Sequence, residues 1–241
     1  MTAGIPWLVL PTFNEAENIE LMLHAADAAL HSASPGGHRI LVVDDTSPDG
    51  TGEIADRVAT ELTSVEVLHR PDRTGLGDAY LAGFARALDA GAGYVIEMDC
   101  DFSHDPNDLG RLLEAARERC DLALGSRYVE GGGVRGWGKR RRVLSRGGSW
   151  YARRVLGVRV RDLTGGFKCF RATVLREIDL TTVRSHGYAF QVELTHRAIR
   201  QGFRVEEVPI IFRDREHGKS KMSTRIAVEA MFLVPRLRRR I

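Results

Sequence analysis

Through the first half of the chain, short apolar runs alternate with amphipathic stretches, and each apolar run stops at polar residues. Residues 7–10, 39–43, 65–68, 94–98 and 121–125 read as buried strands. Residues 51–62 and 75–90 read as helices, with Leu76, Ala79, Tyr80, Gly83 and Ala87 at helical spacing. Asn14 is placed to cap the helix after the first strand, with Glu17 three residues on. Asp105-Pro106 pairs an N-cap carboxylate with a proline at the first helical position. Strands alternating with helices pair in parallel, so the expected fold is α/β: a Rossmann-like, mostly parallel sheet flanked by helices. Ligands of such sheets sit beyond the carboxyl ends of the strands. Asn14-Glu15, Asp44-Asp45, Asp99 with Asp101, and Ser126-Arg127 all fall at those ends.

Beyond Gly131 the pattern changes. Glycines crowd residues 131–138, residues 145–156 read as a helix, and 162–171 as a polar loop entering a strand. A helix is expected over 188–201. The run 205–212 is interrupted by Pro209 and reads as an edge strand. Residues 226–234 read as a short apolar helix before Pro235. With no repeat or linker, a single domain over 1–241 is expected, divided at 128 and 225.

The 241 residues carry 35 Lys and Arg against 32 Asp and Glu, a net charge of +3 that conceals a separation. From Val134 to Arg161 there are ten basic residues and no acidic one, and the last six residues add four arginines. Such asymmetry points to an anionic partner. No run of about 18 apolar residues is present to span a membrane. The first residues lack the basic-then-apolar pattern of a secretory leader. Three cysteines without metal-ligand spacing suit a reducing cytoplasm.

Asp99-x-Asp101 after a strand suits a hard divalent ion such as Mg2+ or Mn2+; the spacing alone favours a solvated turn, and the position at a strand end beside Asp44-Asp45 raises the metal reading. The P-loop, a dinucleotide fingerprint opening the turn after the first strand, the nucleophile elbow and the two-histidine zinc motif are all absent. A metal-assisted nucleotide-sugar site is the economical reading that remains.

Residues 11–15 (PTFNE), 44–51 (DDTSPDGT) and 98–104 (MDCDFSH) resemble the corresponding segments of family 2 glycosyltransferases. Residues 125–128 (GSRY), 162–167 (DLTGGF), 187–193 (GYAFQVE) and Arg215-x-x-Gly218-x-Ser220-Lys221 resemble the polyprenyl-phosphate mannose synthase branch of that family. The resemblance covers nearly the whole chain. It implies a GT-A fold and inverting transfer of mannose from GDP-mannose to a polyprenyl (dolichyl) phosphate, with UDP-glucose as an alternative donor.

It also implies residue roles. Pro11, Phe13, Glu15, Val43 and Asp45 would hold the nucleotide. Asp99, Cys100 and Asp101 would form the metal–diphosphate motif. Arg127, Arg215 and Lys221 would hold the donor phosphates. Phe13, Cys100 and Ser103 depart from the family's usual tyrosine, alanine and glutamine, and Ser103 stands where some relatives supply a third metal ligand. Cys100, between two carboxylates, is read as an oxidation-sensitive point.

A phosphate monoester has a second pKa of about 6, so the acceptor is already an anionic nucleophile and calls for cations rather than a base. Arg127, Arg142 and Ser145 are the expected cradle. Gln191 and Glu193 face the sugar or join a buried network; Asp162 and Thr164 shape the acceptor loop or a turn. His104 is not read as a ligand. Trp137 and Trp150, which flank the basic run, rest either at a lipid interface or in the core. The basic run and the apolar, arginine-ended tail suit peripheral attachment to the cytoplasmic face of a membrane, with room for a separate anchoring subunit. A nucleic-acid-binding module is disfavoured, because the acidic strand ends would repel a phosphate backbone.

Overall fold

A computed structural model describes residues 4–183, 185, 187–214 and 234–238, the side chain of Tyr188 excepted. The strands are β1 (Pro6–Thr12), β2 (Arg39–Asp44), β3 (Val65–His69), β4 (Tyr94–Glu97), β5 (Leu122–Ser126), β6 (Gly133–Arg135), β7 (Lys168–Arg171), β8 (Val205–Pro209) and β9 (Ile211–Arg213). The helices are α1 (Ile19–Ala33), α2 (Thr51–Glu61), α3 (Leu76–Asp89), α4 (Leu109–Glu118), α5 (Lys139–Leu156), α6 (Ala172–Glu177) and α7 (Gly187–Arg200). Seven strands form one sheet in the order β3-β2-β1-β4-β7-β5-β8, and β6 pairs with β9 apart from it.

The pairings within the large sheet are parallel except those of β7, which runs antiparallel between β4 and β5. The sheet is therefore mostly parallel, and β7, from the second half of the chain, lies between two strands of the first. β8 is an edge strand ending at Pro209, which lacks an N–H for a further neighbour.

Each strand feeds two cores, as its two-residue period requires. Leu8, Leu10, Ile40 and Val42 pack with α1, α2 and α4 on one face. Trp7, Val9, Leu41 and Val43 pack with α3, α6 and α7 on the other. Gly83 brings α3 close to the sheet: a Cβ there would overlap Val9 Cγ1 and stand 3.1 Å from Val43 Cγ2. A smaller third core joins Ala152 and Leu156 of α5 to Val192 of α7 and to Val234 and Leu237 of a short helix over 234–238.

Several local expectations change. Asn14 does not cap α1; its φ is +57°, and a turn closed by the Asn18 and Ile19 N–H groups on the Glu15 carbonyl delays the helix to Ile19. Asp105 does cap, accepting from the Asn107 N–H at 3.0 Å, but the first turn is a 3-10 turn before α4. α5 begins six residues earlier than expected, at Lys139, and β6 lies within the glycine-rich stretch. Of the expected helix over 226–234, only Val234 is among the described residues.

Candidate active site

Three neighbouring parallel strands end on one edge, and each is followed by a residue in the left-handed region that is not glycine: Asn14, Thr46 and Phe102, with φ of 57°, 53° and 56°. Such a conformation costs roughly 1–2 kcal/mol per residue, and the neighbouring bonds hold it. The Asn14 N–H donates to Ser47 Oγ at 3.1 Å, and the Glu15 N–H to Thr51 Oγ1 at 2.9 Å. Asp44 is a pin between loops rather than a ligand group: its carboxylate accepts from Thr12 Oγ1, the Ser47 N–H and Ser47 Oγ.

Pro11 and Val43 are register partners on β1 and β2, both buried, with the Val43 side chain in the core. The Arg73 guanidinium lies 3.7 Å from the centre of the Phe13 ring. Asp45 is held by Arg70 Nη1 at 2.6 Å, and burial raises its pKa against the lowering pull of that guanidinium. Glu15 accepts from Asn18 Nδ2 at 2.9 Å. Arg70 and Arg73 were missed from the sequence. They follow the end of β3 on the same edge, a strand end at which no residue had been singled out.

Asp99 and Asp101 follow β4. Asp99 accepts from Tyr80 Oη at 3.3 Å. Burial, with the Asp99 and Glu97 charges, raises the Tyr80 pKa well above the usual phenol range, so this hydroxyl stays a donor. The Asp101 carboxylate accepts from the Ser103 N–H at 3.0 Å and from Ser103 Oγ. Ser103 thus spends its hydroxyl on orienting Asp101.

Among the described residues, no group of three or more His, Cys, Asp or Glu side chains is arranged to hold a metal. Two hard carboxylates at a strand end still suit Mg2+ or Mn2+, which take their remaining ligands from water and substrate phosphates. His104 is buried between the Phe167 and Phe212 rings, 5.1 Å from each.

Cys100 is buried, and burial next to carboxylates pushes its thiol well above the ordinary range. This corrects the expectation of an oxidation-sensitive point, since oxidation requires an accessible thiolate. Cys120 and Cys169 are buried as well, with Cys120 pushed up to about 11. A thiol reagent should therefore label the native protein at no more than a small fraction of three equivalents, and reach all three after unfolding; rapid native labelling of Cys100 would contradict this burial.

A second cluster lies beyond β5. Arg127 donates to fully buried Asp162 from its backbone N–H at 3.0 Å, from Nε at 2.7 Å and from Nη2 at 2.7 Å. Nη2 also donates to Thr164 at 3.0 Å. Glu207 secures the loop behind, accepting from the Asp162 N–H at 2.9 Å and Ser126 Oγ at 2.7 Å. The Arg127 guanidinium lies 5.3–5.6 Å from the rings of Tyr128, Trp137 and Phe212. Ser145, as expected, reaches this cluster, accepting from Tyr128 Oη at 2.6 Å.

Arg142 does not reach it: its side chain is on the exposed side of α5. Arg141, one residue earlier, turns inward, 4.2 Å from the Trp137 ring centre and 2.7 Å from Asp214. Four consecutive basic residues hid this in the sequence, because only the helical phase tells which of them faces in. Trp137 Nε1 and Arg141 Nε are buried donors with no hydrogen-bond partner among the described residues.

The two clusters adjoin. A Cβ on Gly165 would stand 3.9 Å from Asp162 Oδ1, and one on Gly166 would stand 4.0 Å from Asp99 Oδ2, so one loop borders both. The Arg213 N–H donates to the Ser103 carbonyl at 3.0 Å, fastening β9 to the Asp101 loop. Gln191 and Glu193 belong to a buried network: Gln191 accepts from Lys168, and Glu193 from the Ser185 N–H and Arg197. Arg215 and Lys221 lie outside the described residues.

Residues 7–179 match the model of the family described as glycosyl transferase family 2. The chain belongs to that family. It is 51% identical over 228 residues to polyprenol monophosphomannose synthase of Mycolicibacterium smegmatis, covering 94% of this chain and 84% of that one. It is 48% identical over 228 residues to undecaprenyl-phosphate mannosyltransferase of Micrococcus luteus, covering 95% and 91%. The crystal structure of glucosyl-3-phosphoglycerate synthase from Mycobacterium tuberculosis with Mn2+, UDP-glucose and glycerol 3-phosphate superposes with a TM-score of 0.62 at 19% identity, over 97% of this chain and 76% of that one. The fold of this family 2 member is thus the expected GT-A arrangement.

Proposed function

We propose that the protein transfers mannose from GDP-mannose to a polyprenyl phosphate with inversion at the sugar, giving polyprenyl-phosphate mannose and GDP. The observation that carries the reading is the pair of orphaned donors, Trp137 Nε1 and Arg141 Nε, next to Arg127. Two buried N–H groups without partners among the described residues, beside a fixed guanidinium, suit an anion, since an unmet buried donor costs about 1–3 kcal/mol. The names of the two relatives, near 50% identity, support a polyprenyl phosphate acceptor and a mannosyl donor.

Each cluster then has a task. Phe13, Glu15 and Asp45, with the backbone at Pro11 and Val43, hold the nucleotide, and Arg73 covers the Phe13 ring. Asp99 and Asp101 would hold a divalent ion, with Ser103 orienting Asp101. Bound Mg2+ or Mn2+ neutralises the charge that gathers on the leaving nucleoside diphosphate. Arg215 and Lys221 are proposed to share that work. Asp162 fixes the Arg127 guanidinium in one plane. Arg127, Arg141, Ser145 and Trp137 hold the acceptor phosphate, whose oxygen attacks the sugar without a general base because it is already charged. Arginine suits both sides, since its fork meets phosphate oxygens in pairs.

Among the described residues no helix is long and apolar enough to cross a membrane. We infer peripheral attachment on the cytoplasmic face, with residues 129–225 as the acceptor half, the tail at the surface and a separate anchoring subunit as an open partner; nucleic acid has no place in the reading. In the tail, Val234 and Leu237 point into the protein while Arg236 and Arg238 are exposed, which leaves its charge rather than those two side chains to meet lipid.

A donor panel tests the proposal. Radiolabelled GDP-mannose should be used with a short polyprenyl phosphate, UDP-glucose should not, and EDTA should stop transfer until Mg2+ or Mn2+ is restored. Preference for UDP-glucose, or full rates in EDTA, would overturn it.

A further inference from the structure

Five large apolar residues are exposed among the described residues. Leu21 and Leu76 stand singly, while Val143, Leu144 and Trp150 share α5, exposed by 72%, 49% and 59%. Single exposed apolar residues are ordinary; a cluster on one element marks a contact surface. At about 100° per residue, Val143, Gly147, Trp150 and Arg154 fall on one stripe, with Leu144 beside it. The opposite side of α5 is accounted for, since Ser149, Ala152 and Leu156 are buried.

The charge around the stripe is of one sign. α5 holds seven lysines and arginines and no acidic residue. Arg141 turns inward, while Lys139, Arg140, Arg142, Arg146 and Arg154 are exposed around the apolar residues. A merely solvated face would mix charges of both signs, and a rim of one sign calls for a surface of the opposite sign. An apolar stripe topped by tryptophan and rimmed only by cations fits a bilayer interface bearing anionic headgroups. Trp137, the other tryptophan by the basic run, is buried against Arg141 and Phe212 and takes no part.

We propose that the outer face of α5 is the membrane-docking surface, with Val143, Leu144 and Trp150 inserted among anionic lipid headgroups and the flanking arginines on their phosphates. This rests on the functional reading above and deepens it. The inner face of the same helix carries Arg141 and Ser145, so docking sets the acceptor cradle one helix diameter, about 10 Å, from the lipid phosphates. A phosphate-capped lipid then reaches Arg127 without leaving the bilayer by more than its headgroup.

The test uses the whole protein and vesicles of phosphatidylcholine with or without phosphatidylglycerol. The wild type should float with the anionic vesicles, and its Trp150 emission should shift to the blue and be quenched by brominated lipid chains. Val143→Ser/Leu144→Ser/Trp150→Ser should keep its thermal midpoint and its rate on a water-soluble short polyprenyl phosphate. It should lose flotation, and transfer to a vesicle-embedded long-chain acceptor, by about tenfold or more. Flotation of this variant equal to wild type would overturn the proposal. So would a wild-type dimer in sedimentation that the variant abolishes, which would make the stripe an interface between copies. If flotation depends on the stripe while neither acceptor receives mannose, the docking surface stands and the functional reading falls.

Discussion

Asp101→Asn should reduce mannosyl transfer about 10²–10³-fold with the fold unchanged. The substitution is nearly isosteric. Its Oδ1 still accepts from the Ser103 N–H, the bond that holds the loop around the left-handed Phe102. What is lost is one negative charge from the Asp99–Asp101 pair, and with it half of the carboxylate set proposed to hold the metal. The residual rate should respond weakly to added Mg2+ or Mn2+, whereas wild type responds strongly. Circular dichroism and the thermal midpoint should match wild type, because an exchange that keeps the local hydrogen bond costs little stability. Near-normal turnover, or lost turnover together with a fallen midpoint, would remove the support for Asp101 as the metal carboxylate.

Lys168→Met should cost about 3–5 kcal/mol of stability, roughly 6–20 °C in thermal midpoint. Lys168 Nζ lies 3.0 Å from Glu97 Oε1, and neither side chain reaches solvent. Burial pushes the Glu97 pKa up and the Lys168 pKa down, while the two charges oppose both shifts. Removing the ammonium leaves a carboxyl in the sheet interior that must take a proton to remain. The sign follows: Glu97 then binds its proton more tightly folded than unfolded. Its contribution is complete below the usual glutamate range and is lost as pH rises through its raised folded value. The deficit of the variant against wild type should therefore shrink in acid.

The double variant Glu97→Leu/Lys168→Met should recover most of the loss, since a well-packed apolar pair often replaces a buried ion pair at little cost. Urea unfolding across pH reads all three proteins; a single-variant loss under about 1 kcal/mol would refute the assignment.

The sheet was legible because parallel strands are buried on both faces and so read as continuous apolar runs: residues 7–10, 39–43 and 94–98 each recover a strand to within a few residues. The candidate edge was legible because Asp44, Asp99 and Arg127 each fall at or just beyond the end of such a run. β7 was not. Its four residues include a lysine that looks like a surface group until Glu97, 71 positions earlier, is brought beside it by an antiparallel pairing that no local pattern encodes. The helical phase of α5 was hidden for a related reason. Consecutive arginines give no apolar period, so Arg142 was weighed where Arg141 turns inward, and Trp137 and Trp150 could not be told apart. The Asn14 cap failed because the residue serves a left-handed loop tied to Ser47 rather than a helix start.

If an anionic phosphate held by cations attacks without a base, the phosphate group itself decides the acceptor. The decisive measurement offers GDP-mannose a short polyprenyl phosphate or the corresponding polyprenol, with Mg2+ present. Labelled mannose should appear on the phosphate and none above background on the alcohol. Transfer to the alcohol at a comparable rate, or to neither, would contradict it.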